Sequence, residues 1–366
     1  MSIRNIYIDR GFVDHPETEK LISRLPDAQQ RIVSDASEVY AEIEAAEDPV
    51  ARGKEILFLT ANRGAFVRPC PGTREYTCCG YWILHVGSFC TMDCSYCILQ
   101  AYFHPPVLQY FINGQDLKRE LHRALAEGVF RRIGTGEFTD SLIWELWTDR
   151  CRWLVDTFGA QHKAVLELKT KTVGIEFLRE ADHQGKTVMA WSLNTPRIIR
   201  SEERGTASLA ARLRAAEQCQ KWGYPVAFHF DPLVIYPDCD AEYREVVRNL
   251  FSRIPPDSIA WISLGSFRFM PALKALIQKR FPESKIVYGE FVPGLDGKMR
   301  YFRPLRLKLY QAVVEEIRRA APDATIYFCM EDEGIWNRCL GIRPSQEGGL
   351  DRMLDRRVKD LCGLDP

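Results

Sequence analysis

The sequence predicts an α/β fold, a partial (β/α)6 TIM-type barrel, on two observations. From Tyr81 onward six short apolar runs alternate with longer amphipathic segments, and a cysteine triplet follows the first of those runs directly. Strands are expected over residues 81–86, 131–135, 165–169, 187–193, 226–231 and 261–266. Helices are expected over 116–127, 144–158, 174–182, 208–222, 241–251 and 270–280. Strands separated by helices pair in parallel through right-handed crossovers, and six units fit an open barrel better than a closed one of eight. In such barrels the chemistry sits just after each strand.

Residues 1–75 read as an N-terminal extension, with helical character over 17–47 and an apolar run at 55–60. The barrel occupies 76–284. The alternation then breaks: 285–344 holds a β-hairpin turning at Asp296-Gly297, a helix over 305–320 and a strand over 325–328. The tail, 345–366, carries little readable signal.

Composition narrows the class. With 46% hydrophobic and 27% charged residues the 366-residue chain is an ordinary globular one, without long disordered tracts. Lys plus Arg (49) balances Asp plus Glu (49), so any nucleic-acid contact has to come from a local patch. No apolar run reaches the length of a membrane span, and the start lacks a secretory pattern, so a cytoplasmic protein without a membrane partner is expected. Twelve cysteines in a reducing compartment point to metal or redox chemistry.

Cys90, Cys94 and Cys97 stand on the loop after the first expected strand, with an aromatic, Tyr96, just before the last. Three thiolates on one loop each take one iron of a 4Fe-4S cubane and leave the fourth open. An open iron suits the amine and carboxylate of S-adenosyl-L-methionine, whose reductive cleavage gives a 5′-deoxyadenosyl radical. Other readings are a zinc site completed by His85 or His104, or three free thiols. Cys70, Cys78 and Cys79, or Cys329 and Cys339, could hold a second cluster; buried thiols are the plainer reading, and they stay outside the metal set.

Over about residues 81–327 the chain resembles the spore photoproduct lyase family of radical S-adenosylmethionine enzymes, which repair a thymine dimer. The resemblance rests on Cys94-Ser95-Tyr96-Cys97-Ile98-Leu99-Gln100, on Ser192-Leu193-Asn194, on Lys169 and on Gly223-Tyr224-Pro225. It implies a cofactor site of Tyr96, Lys169, Ser192 and Asn194, with Tyr96 also catalytic. Glu137, in Gly134-Thr135-Gly136-Glu137, is similar to the Gly-Gly-Glu element that holds the cofactor's amine in many such enzymes. Two departures stand out: residues 134–141 lack the family's hydrogen-donor cysteine, and Ile98 replaces its second tyrosine. Cys239, after the fifth expected strand, is a replacement thiol to test.

Residues 297–308 carry five basic side chains, two aromatics and no acid. A basic, aromatic hairpin suits damaged DNA, and Lys298, Arg300, Tyr301 and Arg303 are its candidate contacts; as an alternative, the hairpin caps the barrel. The leading expectation is therefore a lyase-like radical enzyme acting on a DNA lesion, with a flavodoxin- or ferredoxin-type reductant. A radical enzyme with another substrate, and a non-catalytic DNA-binding protein with a structural cluster, remain as alternatives.

Overall fold

The computed structural model describes residues 3–73 and 75–364; Met1, Ser2, Arg74, Asp365 and Pro366 lie outside the described residues. Its centre is a curled eight-stranded sheet. In spatial order the strands are Ile326–Phe328, Ile259–Ser266, Val226–Leu233, Thr187–Ser192, Ala164–Thr170, Arg131–Gly134, Trp82–Leu84 and Val67–Pro69. All neighbours pair in parallel except the last two strands. Each of the six expected strands is present, and Ile326–Phe328 adds a seventh parallel strand at the open edge. The sheet is a half-barrel because, among the described residues, no strand joins that edge to Val67–Pro69.

The helical expectations hold where an apolar stripe is long. Gly114–Ala126, Leu209–Lys221, Cys239–Phe251 and Arg303–Ala320 each bury one face on the sheet or on one another, while Pro271–Arg280 buries Leu273 and Ile277 in a separate cluster with Phe267, Phe269 and Tyr301. Two expectations fail locally. The segment 144–158 splits into a 3-10 turn, Ile143–Leu146, and a helix, Arg150–Gly159. Thr148 sits at the break: its hydroxyl donates to the Trp144 carbonyl at 2.9 Å and accepts from the Arg150 N–H. Residues 174–182 form only the turn Glu176–Leu178, and the Leu178 carbonyl that would continue a helix accepts from the Tyr224 hydroxyl at 2.8 Å.

The N-terminal residues build a second layer. Asn5–Asp9, Gln29–Val33 and Ile56–Thr60 form a parallel sheet that continues through Leu108–Phe111 to Gly87–Ser88, beside the barrel mouth. The helical stretch expected over 17–47 is therefore interrupted by Gln29–Val33, an exposed edge strand whose Gln29-Gln30-Arg31 start carries no apolar alternation. The tail is ordered too. Leu350–Cys362 is a helix that buries Leu354 and Val358, and its Asp355 accepts from the Arg132 Nε at 2.6 Å.

Candidate active site

Strand residues two apart share a face, and this alternation gathers the polar inner positions. Glu167 and Lys169, His229 and Asp231, Trp261 and Ser263, and Tyr327 and Cys329 all line one cavity of about 400 Å³ inside the curl. Glycines on the same face make the room. A Cβ on Gly134 would sit 1.8 Å from the Tyr81 hydroxyl, and one on Gly265 would sit 2.7 Å from the Asp231 carboxyl. Cavity cations meet carboxylates: Arg268 lies 3.3 Å from Asp231, and Lys169 lies 3.9 Å from Glu137.

Cys90, Cys94 and Cys97 reach the same cavity. The loop that carries them is held from four sides. Phe89, with φ of 73°, turns the chain into Cys90 and is fixed by its N–H to the Phe138 carbonyl at 2.8 Å. Buried Lys54 lies over the Phe89 ring, donates to the carbonyls of Cys90 (2.9 Å) and Met92, and faces Asp93 at 3.7 Å. Arg280 brackets Asp93, Asp48 and the Gln100 side chain. Finally, Asp93–Cys94 pairs antiparallel with Glu203–Arg204. None of Lys54, Arg280 and Glu203 is signalled locally in the sequence, because each acts across a long span of chain.

Burial pushes the Cys90 thiol up to about 12 and the Cys94 thiol well above its usual value, against the positive charges of Lys54 and Lys171. Such thiols shed their protons to a metal. Among the described residues no group of three or more His, Cys, Asp or Glu side chains is arranged around a single ion. Neither His85 nor His104 lines the cavity, and His85 is packed against Phe111 and Phe138. The donor set, three thiolates on one loop beside a cavity, fits a cubane in which each takes a different iron.

Glu137, Lys169, Ser192 and Tyr96 line the cavity with the cysteines. Asn194 does not. It is buried, donates to the Pro232 carbonyl at 3.0 Å and accepts from the Tyr243 hydroxyl at 2.7 Å, so its amide is occupied within the fold. The Tyr96 hydroxyl donates to Glu203, which Arg212 grips at 2.5 Å while also donating to the Ser192 carbonyl at 2.9 Å. Arg212 and Glu203 are both buried, so the pair locks the cluster loop to the end of the Thr187–Ser192 strand.

Three sequence expectations are corrected. Cys239 is the buried first residue of its helix, Cys239–Phe251, and does not line the cavity, whereas Cys70, Cys79 and Cys329 do. Arg300 is only 2% exposed: it binds Asp296 at 2.7 Å and the Met330 carbonyl at 2.9 Å, with Tyr76 stacked beside it. Tyr301 is buried against Phe291, and its hydroxyl accepts from the Ile235 N–H. The hairpin, Phe291–Pro293 with Met299–Tyr301, does turn at the expected place, but these two side chains point into the protein. Lys298 lies on the cavity rim, and Arg303 is half-exposed and paired with Asp332.

A half-barrel with three cysteines on the loop after its first parallel strand has the architecture of the radical S-adenosylmethionine proteins. A family model described as "Spore photoproduct lyase" matches residues 77–327, and the chain belongs to that family. It is 27% identical over 206 residues to the spore photoproduct lyase of Bacillus subtilis (strain 168), a match covering 55% of this chain and 60% of the relative. With the enzyme of Clostridium acetobutylicum the identity is 24% over 244 residues, 64% of this chain and 68% of the relative. The solved structure "Spore photoproduct lyase complexed with dinucleoside spore photoproduct" superposes with a TM-score of 0.78 at 21% identity, covering 89% of this chain and 98% of that one, and shows a shared fold. Among the described residues no helix is long and apolar enough to cross a membrane.

Proposed function

We propose that this chain is a radical S-adenosyl-L-methionine enzyme that repairs a thymine lesion of the spore-photoproduct kind in DNA. The observation that carries the reading is the convergence of Cys90, Cys94 and Cys97 with Glu137, Lys169 and Ser192 on one cavity. A 4Fe-4S cluster on the three thiolates, reduced by a flavodoxin- or ferredoxin-type donor, would supply the 5′-deoxyadenosyl radical from bound S-adenosyl-L-methionine. Glu137 and Lys169 offer charges opposite to the cofactor's amine and carboxylate, Ser192 offers a hydroxyl, and Tyr96 braces the loop through Glu203.

A thiol can return a hydrogen atom to a carbon radical only while its S–H bond is intact. Burial pushes Cys70 up to about 11 and Cys329 up to about 12, so both stay protonated thiols facing the cavity. Cys78 differs: the Cys79 thiol, neighbouring backbone N–H groups and Arg132 pull it down to about 6, and it lies outside the cavity lining. The donor in this chain is accordingly assigned to Cys70, Cys79 or Cys329.

The test is anaerobic reconstitution with iron and sulfide, then incubation with S-adenosyl-L-methionine, a reductant and DNA carrying the photoproduct. Restored thymine together with 5′-deoxyadenosine supports the reading. 5′-Deoxyadenosine without repair retains the radical chemistry and rejects this substrate, the outcome that the inward-facing Arg300 and Tyr301 would favour.

A further inference from the structure

The lining of the cavity also holds a set of hydrogen-bonding groups that the radical chemistry does not use. Glu167 and His229, both buried, face each other with His229 Nε2 2.7 Å from Glu167 Oε1. Burial works against ionisation of Glu167, yet His229, Lys169 and Arg132 hold its carboxyl below the usual range. A carboxylate only accepts, so in the neutral imidazole Nε2 carries the hydrogen and Nδ1 is left as an acceptor. Among the described residues the imidazole's hydrogen bond is the one made by Nε2.

Two donors on the same cavity lining are buried and unpartnered. The Tyr81 hydroxyl, tucked over Gly134 beside the Glu167 backbone, is buried without a hydrogen-bond partner. So is the Trp261 indole N–H, on the strand that pairs with that of His229. All three residues line the cavity. An unsatisfied buried polar group costs about 1–3 kcal/mol, and two of them lining the same cavity as His229 call for a ligand that answers them. Arg268 beside them already faces the Asp231 carboxylate, so what is unmet there is neutral and not anionic.

We propose that Tyr81, His229 and Trp261 form a recognition site for the imide edge of a pyrimidine base. Around the sheet the wall offers donor, acceptor, donor; a thymine-type imide offers carbonyl, N–H, carbonyl, its complement. Glu167 is a positioning residue that fixes the imidazole tautomer. The inference rests on the reading of the substrate as a thymine lesion and specifies which edge of the base is held.

The experiment measures, at pH 8, binding of the dinucleoside spore photoproduct and of its counterpart methylated at both imide nitrogens, by calorimetry on the reconstituted protein with S-adenosyl-L-methionine. Methylation is expected to weaken binding to the unmodified protein about tenfold or more, Tyr81→Phe to weaken the unmethylated compound about fivefold, and His229→Phe to erase the difference between the two compounds. Tyr81→Phe removes only an unpartnered oxygen, so its fold is kept even if His229→Phe proves unstable. Equal binding of both compounds to the unmodified protein, or unchanged affinity in Tyr81→Phe, overturns the inference alone. Failure of the unmethylated photoproduct to bind overturns the substrate reading with it. Weakened S-adenosyl-L-methionine binding in Tyr81→Phe with photoproduct affinity intact overturns it by giving the wall to the cofactor.

Discussion

Lys54, from the N-terminal layer, donates its ammonium to the backbone carbonyl of Cys90 at 2.9 Å. That contact joins a segment without any cysteine of its own to the first cysteine of the cluster loop. Lys54 sits near the end of the helix Pro49–Glu55, which runs directly into the strand Ile56–Thr60 of a sheet that continues through Leu108–Phe111 to Gly87–Ser88, just ahead of the loop.

Replacing Lys54 with Met should leave the Cys90 and Met92 carbonyls without their donor and Asp93 without one of its two cations. Hydrogen bonds to charged groups contribute about 1.5–3 kcal/mol each, so a loss near 3 kcal/mol is expected. Iron retained per chain after reconstitution and desalting should drop with it. Iron at the unmodified level would show that the loop is set without Lys54.

Arg300 behaves as a structural residue. Truncating one member of a buried ion pair costs about 3–5 kcal/mol, so Arg300→Ala should lower the urea midpoint clearly, by freeing Asp296 and the Met330 carbonyl. It should leave the slope of DNA affinity against salt unchanged, since a side chain sealed from solvent neutralises no phosphate. A flattened slope in a folded variant would restore the phosphate-clamp reading.

What could be read from the sequence follows the range of the interactions. The barrel strands were legible because alternation and apolar runs are local, and Cys90, Cys94 and Cys97 because three ligands fall within eight residues. Lys54, Arg212 and Arg280 were not, since each acts through partners far along the chain or through burial that composition does not reveal. Arg300 lies between. Its basic neighbourhood suggested a surface, yet Asp296 four residues earlier was a visible sign of an internal pair. Asn194 was correctly placed at a strand end, but its neighbours Tyr243 and Pro232 come from the next unit.

The cavity thiols give a sharp contrast. Cys239→Ala should leave turnover unchanged, because that sulfur does not line the cavity. Replacing Cys70, Cys79 and Cys329 together with Ala should abolish thymine restoration while 5′-deoxyadenosine still forms. Mass spectrometry of both products separates the two steps, and single replacements then identify the donor. Repair surviving the triple replacement would remove thiols from the hydrogen-return step.

His85 sets a pH limit on stability. Burial first, and the Arg68 charge second, pull its folded-state value from 6.5 down to about 4. The unfolded chain therefore binds a proton at His85 that the folded chain refuses, and stability falls as pH drops through 6.5 towards 4. The shift corresponds to about 3 kcal/mol at the acid end, at 1.36 kcal/mol per pH unit. The cause is local: the ring is packed against Phe111 and Phe138, with Nε2 3.1 Å from the Ser88 hydroxyl. His85→Phe keeps the apolar packing and removes the titration, so the difference in unfolding free energy between the two proteins should change over pH 7 to 4 and stay constant from pH 7 to 8. Urea unfolding at each pH measures it. A difference independent of pH would mean that the imidazole accepts its proton as readily in the fold as in the unfolded chain.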